Sequence, residues 1–350
     1  MESLFRESVR KMKPYHAPYI RKGIKLDANE NTYPLLEEMK EHMSNWAKSM
    51  PINYYPDTNS RKLREAIGAL HHIEAENILC GVGSDQMIDC LMKSTLEVGD
   101  KVLVPTPSFS MYKLTAQFNH GCVVEVPLTQ DFAYNVEALE EAILRERPKL
   151  TFICNPNNPT GTNVKIEEIR RLVEHKVGLL VVDEAYIEFG GTSAIELLKI
   201  CKNLVILRTF SKAYGLAGSR VGYMVAHKEV IEMVEKVKPP YNLNCFSEEI
   251  GTWVAKNYYK FSPIIQEILE SREDFKDYLV ELGCKVYPSA ANFLWIWCKW
   301  PLDELLKEES IYLKSFTYKG KIYYRLSIGT KEEMRQVKAT LKAKLEGEVD

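Results

Sequence analysis

Lys212 follows Ser211 at the end of the apolar run LVILRTF at 204–210, so its amine stands where a buried strand ends. A lysine there is either a solvated surface charge or an amine in a partly desolvated cleft, where loss of water lowers its pKa and makes it a nucleophile. The segment that follows, Ser211-Lys212-Ala213-Tyr214-Gly215-Leu216-Ala217-Gly218-Ser219-Arg220, favours the second. Its two glycines let the backbone fold tightly. Ser211 and Arg220 flank the amine with a hydroxyl donor and a permanent cation, a set suited to a phosphate. Asp183 closes GLLVVD at 178–183. It puts a carboxylate at the carboxyl end of a buried strand, where open α/β sheets bind ligands, although a lone acid there is as readily a helix cap. Tyr186 lies three residues on, at the same mouth.

Three further segments hold candidate groups. Gly81-Val82-Gly83-Ser84-Asp85-Gln86 leads into a helical pattern carrying Met87, Ile88, Leu91 and Met92, whose first N–H groups offer an anion site. It lacks the third glycine of a dinucleotide fingerprint and the lysine of a P-loop. NPNNPTG at 155–161 is either a simple proline turn or a frozen loop presenting an asparagine amide. Phe109, just past KVLVP, either packs locally or lays its ring on a flat ligand. Each feature alone has an ordinary structural explanation. Together they supply an amine, an acid, a phosphate cradle, an amide and an aromatic face.

Strands are expected at 101–105, 122–127, 150–154, 178–183 and 204–210, with helical periodicity between them at 136–145, behind a cap at Asn135, and at 166–175. Near-continuous β-branched runs separated by helices indicate an α/β, doubly wound, mostly parallel sheet covered on both faces. The pattern changes at Pro239-Pro240, which end a helix that starts near Lys228. Beyond lie helical patterns at 247–258 and 263–282, strands at 292–298 and 322–328, and a final helix with Met334, Val337, Leu341 and Leu345 on one face. The expected organisation is an arm at 1–35 that packs on the small domain or a partner subunit, a large domain at 36–240, and a small α+β domain at 241–350.

Three hundred and fifty residues, 45% hydrophobic and 27% charged, fit a two-domain globular chain. A net charge of −2 gives no electrostatic support for nucleic-acid binding. No apolar run approaches the roughly 20 residues of a membrane span, and 1–13 lacks the apolar block of a signal peptide. The eight cysteines form no CxxC and the seven histidines no HExxH, so the expectation is a cytoplasmic protein with no structural metal and no disulfide framework.

The chain resembles the fold-type-I aminotransferases that depend on pyridoxal phosphate, and within them the histidinol-phosphate branch. The resemblance rests on Lys13-Pro14-Tyr15, LDANEN at 26–31, Tyr55-Pro56-Asp57, Gly83-Ser84-Asp85, NPNNPTG, VDEAY at 182–186, SKAYGLAGSR and YRLSIGT at 324–330. It implies that Lys212 carries the cofactor aldehyde, Asp183 pairs with the pyridine nitrogen, and Tyr186 and Asn158 hydrogen-bond the ring oxygen. Phe109 would stack on the ring, and Ser84, Ser211 and Arg220, with backbone amides of Gly83–Asp85, would hold the phosphate. Tyr55 would reach the cofactor phosphate of a neighbouring subunit in a homodimer. Tyr15, Asn29, Lys314 and Arg325 would contact substrate, Arg325 serving both the phosphorylated amine and a 2-oxo acid.

The implied reaction is transfer of an amino group from L-histidinol phosphate to 2-oxoglutarate, with ping-pong kinetics. The chain departs from the family pattern in having Phe109 for a more usual tyrosine, Gln86 for glutamate, and Lys314 where a second arginine is expected. Lysine gives the phosphate a charge without the planar fork. The other readings are a transaminase for aromatic or other amino acids, a decarboxylase of the same scaffold such as one for threonine phosphate, and a regulator that senses the cofactor. The last calls for a DNA-binding domain, and fewer than 40 residues precede the enzyme-like region.

Overall fold

The computed structural model describes residues 1–10 and 22–346. Its strands are β1 (Ile24–Lys25), β2 (Ile78–Val82), β3 (Lys101–Thr106), β4 (Cys122–Pro127), β5 (Leu150–Cys154), β6 (Leu179–Asp183), β7 (Leu204–Thr209), β8 (Val221–Ala226), β9 (Lys285–Tyr287), β10 (Phe293–Trp297), β11 (Ile311–Tyr312), β12 (Lys314–Tyr318) and β13 (Lys321–Ser327). Seven of them form the main sheet, in the order β2-β8-β7-β6-β5-β3-β4. All run parallel except β8, which is antiparallel to both its neighbours.

The alternation along β7 shows why the apolar runs are continuous. Leu204 and Ile206 belong to the core on one face of the sheet, while Val205 and Leu207 belong to the core on the other. A strand covered on both sides has no position that water reaches, and all six residues of β7 are buried. The helices Val136–Glu146 and Ile166–Glu174 lie at their expected places, the first capped by Asn135, whose side chain accepts from the Ala138 N–H at 3.1 Å. The helix Lys228–Glu235 stops well short of Pro239-Pro240.

Two strands of this sheet, β2 and β8, are absent from the sequence-based expectation. Each carries a mid-strand glycine that interrupts the apolar run, and the two glycines pair, Gly81 opposite Gly222. A Cβ on Gly222 would lie 2.2 Å from the Ser84 nitrogen, so the missing side chain is what lets the start of the next helix close down on β8.

The four-stranded antiparallel sheet β12-β13-β10-β9 is backed by the helices Ser262–Glu281 and Lys331–Glu346. They meet at Tyr278, whose hydroxyl donates to the Lys338 carbonyl at 3.0 Å, and Met334, Val337, Leu341 and Leu345 are all buried. From the other end of the chain, β1 pairs in parallel with β11, and the Leu26 N–H donates to the Tyr312 carbonyl at 2.7 Å. Among the described residues no helix is long and apolar enough to cross a membrane, and no group of side chains is arranged to hold a metal.

Candidate active site

The carboxyl ends of β3, β5, β6 and β7 and the helix that follows β2 converge on one cleft of about 460 Å3. Asp27–Glu30 and the side chains of Lys314, Phe316 and Arg325 form its opposite wall. Gly83, Ser84, Asp85, Phe109, Asn158, Asp183, Tyr186, Ser211, Lys212 and Arg220 all line it, as do Asn29, Lys314 and Arg325. Residues separated by up to 298 positions are thus brought together by the strand order.

Asp183, the last residue of β6, is only 3% exposed. Its carboxylate accepts from the Tyr112 hydroxyl at 2.7 Å and from the Ala185 N–H at 3.1 Å. No cation pairs with it among the described residues, and burial pushes its pKa up to about 6. An acid kept at the floor of a cleft without a counter-charge is complementary to a ligand that brings one, such as a protonated ring nitrogen.

The Lys212 amine donates to the Ala28 carbonyl at 3.0 Å and sits 5.6 Å from the centre of the Tyr186 ring. Burial, then the nearby Arg325, pull its pKa down to about 8, against the opposing pull of Glu30 and Asp85. The amine is therefore neutral, and nucleophilic, over the window from about 8 to 10.5 in which a solvated lysine is still charged. Reductive alkylation of Lys212 by a small aldehyde should accordingly rise with pH around a midpoint near 8, followed by peptide mapping. A midpoint above 10 would contradict the desolvated setting.

A polar corner of the cleft lies beside the amine. The helix Gly83–Thr95 starts there with no side-chain cap; the Gly83 N–H donates to the Arg220 carbonyl at 2.8 Å, and the N–H groups that follow it point to a ligand. Ser84, Ser211 and Arg220 face the same corner, with Arg220 in left-handed backbone geometry and its guanidinium 3.1 Å from the Asp85 carboxylate. Gln86 closes the turn from behind: its side-chain oxygen accepts from the Val82 N–H at 2.9 Å and the Asn242 amide at 2.7 Å. The glutamine that replaces the expected glutamate is thus a turn-holding acceptor.

The far wall is held by a buried network. Asn29, 1% exposed, exchanges hydrogen bonds with Ser327: its N–H donates to the Ser327 hydroxyl at 2.9 Å, which donates back to its Oδ1 at 3.0 Å. The Asn29 amide donates to the Tyr186 hydroxyl at 3.0 Å. Arg325 donates to Asn158 Oδ1 at 2.6 Å and to the Asp27 carbonyl. Lys314 stands directly opposite Arg325 in the β12–β13 ladder, so the two cations are cross-strand neighbours at the cleft mouth.

Tyr55 does not enter this cleft. It is 81% exposed and stacks on Tyr241 with ring centres 4.4 Å apart. Tyr15 lies outside the described residues. Conversely, sequence reasoning passed over Tyr112 and Ser327. The signal for Tyr112 was its hydroxyl on the apolar face of the helix Ser110–Phe118, since a buried phenol needs an acceptor.

Residues 21–341 match the family model described as aminotransferase class I and II. The chain belongs to that family. Among the relatives of this aminotransferase is a histidinol-phosphate aminotransferase of Carboxydothermus hydrogenoformans, 40% identical over 336 residues and matched over 95% of this chain and 96% of its own. The histidinol-phosphate aminotransferase of Thermococcus kodakarensis is 38% identical over 336 residues, covering 96% and 97%. The same fold occurs in the crystal structure of histidinol-phosphate aminotransferase from Sinorhizobium meliloti in complex with pyridoxal-5'-phosphate, with a TM-score of 0.88, 22% identity and 96% of each chain covered. It also occurs in L-threonine-O-3-phosphate decarboxylase from Porphyromonas gingivalis, with a TM-score of 0.81, 24% identity, and 92% and 99% covered. The aminotransferase therefore has the α/β fold expected from its sequence.

Proposed function

We propose that the chain is a pyridoxal-phosphate-dependent aminotransferase that transfers the amino group of L-histidinol phosphate to 2-oxoglutarate, giving imidazole acetol phosphate and L-glutamate. It works as a homodimer in the cytoplasm, Tyr55 reaching the neighbouring subunit's cofactor phosphate. The observation that carries this reading is a buried, uncompensated acid at Asp183 and a desolvated amine at Lys212, sharing one cleft with an uncapped helix terminus. The relatives named above support the choice of amine.

The residues present fit the cofactor. Asp183 receives the ring nitrogen, Phe109 covers the ring face, and Gly83–Asp85, Ser211 and Arg220 take the phosphate. Arg325 occupies the Asn158 oxygen, which leaves the Asn158 amide to donate; Asn29 occupies the Tyr186 oxygen, which leaves the Tyr186 proton to donate. Both donors are thereby set toward the ring oxygen. Bound in this way, pyridoxal phosphate supplies a carbonyl to take up the substrate amine and an electron sink for the carbon that loses its proton.

Lys212 Nζ is the base that removes the proton from the substrate carbon and the acid that returns it on the other side of the exchange. Asp183 keeps a proton on the ring nitrogen. Arg325 presents its fork to the substrate phosphate in one half-reaction and to the 2-oxo acid carboxylate in the other, and Asn29 lines the same side of the cleft.

Lys314 adds the second charge for the phosphate. Lys314→Ala should lower kcat/KM for L-histidinol phosphate by about 10- to 100-fold, the worth of a charge-assisted hydrogen bond, and change that for phenylalanine less than about threefold. Equal losses on both amines would remove Lys314 from phosphate recognition. The test of the reading as a whole is a panel of amines with 2-oxoglutarate as acceptor. L-Histidinol phosphate should give the highest kcat/KM; a higher value for phenylalanine, or carbon dioxide release from threonine phosphate, would overturn the substrate assignment.

A further inference from the structure

Two of the eight cysteines meet far from the cleft. Cys284 immediately precedes β9 and Cys298 immediately follows β10, and the antiparallel register Trp295–Tyr287, Ile296–Val286, Trp297–Lys285 makes them the next cross-strand pair. The Cys284 thiol donates to the Cys298 sulfur at 2.7 Å, and the two residues are 5% and 7% exposed. Both are free thiols in this structure, and neither lines the active-site cleft. Directly opposed residues of antiparallel strands have Cα atoms about 4.5–5.5 Å apart, inside the range that a disulfide spans.

We propose that Cys284 and Cys298 form a reversible redox site that closes to a disulfide by exchange with a low-molecular-weight disulfide of the glutathione class. Cys298 is the attacking group. The Cys284 thiol favours its thiolate against the cost of burial, helped by the amide N–H groups of Trp300 and Lys299 and the Lys299 charge, whereas the pairing and burial both push Cys284 the other way. Access comes from the sheet edge, because β9 is a terminal strand of only three residues whose local opening exposes the pair.

The exchange balances in two steps. Cys298 gives its proton to solvent, and its thiolate attacks one sulfur of the reagent, releasing one small thiolate and leaving a mixed disulfide. Cys284 then loses its proton and attacks the Cys298 sulfur, releasing the second small thiolate. The two protein thiols are oxidised and the reagent is reduced to two thiols.

The experiment uses the full-length holoprotein incubated with oxidised glutathione at pH 8, quenched with acid, denatured, alkylated and digested. Trypsin separates Cys284 and Cys298 by cleaving after Lys285. The expected result is loss of alkylation at these two positions, a covalently joined pair of peptides spanning 277–285 and 286–299, and full return of both thiols on treatment with dithiothreitol. In Cys284→Ser, whose serine retains the fold, the product should stop at glutathione on Cys298. Both thiols still alkylated in the wild type, or a mixed disulfide persisting on either cysteine in place of the bridge, would overturn the proposal.

Discussion

Replacing Lys212 by alanine is expected to lower kcat/KM for amino transfer by at least about 10⁴-fold, while circular dichroism and the thermal midpoint of the cofactor-free chain change little. The size follows from the loss of both roles proposed for one amine, as covalent partner of the cofactor and as the base and acid at the substrate carbon. The small effect on the fold follows from its setting: the amine makes one hydrogen bond, to the Ala28 carbonyl, and is held partly desolvated at some cost to its charged form. A variant that retains more than a hundredth of the wild-type rate would remove Lys212 from the chemistry.

Asp183→Asn should lower kcat by about 10³-fold at unchanged shape, the scale on which a single preorganised electrostatic partner acts. An amide cannot hold a proton on a ring nitrogen. The same substitution has a second signature in the cofactor-free protein. The folded pKa of Asp183, about 6, lies above its ordinary value of 3.8, so the acid contributes stability that is fully present below pH 3.8 and lost as pH rises through 6. Thermal midpoints of cofactor-free wild type and Asp183→Asn, compared from pH 4 to 7, should therefore diverge as pH rises, with the wild type losing ground. Parallel curves would mean that the carboxylate is compensated by a group other than Tyr112 and Ala185.

The site was legible in the sequence where its chemistry is local. Ser211, Lys212 and Arg220 lie within ten residues, Asp183 and Tyr186 within four, and each segment sits at the end of an apolar run that marks a strand. What escaped was set by distant partners. Tyr112 matters because its hydroxyl meets an acid 71 positions away, and Ser327 because it locks an asparagine 298 positions away. No spacing rule reports such pairs. In the fold, β12 was missed because its side chains are exposed or only half-buried and its composition, KSFTY, gives no continuous apolar signal. β2 and β8 were missed at their paired glycines, of which Gly222 lets the start of the helix at Gly83 close on β8.

Everything proposed for this cleft requires pyridoxal phosphate to be linked to the Lys212 amine. Borohydride reduction of the holoprotein, followed by peptide mapping, tests it most directly. A single pyridoxyl group is expected, on Lys212; a reduced adduct on another lysine, or none at all, would rule that linkage out.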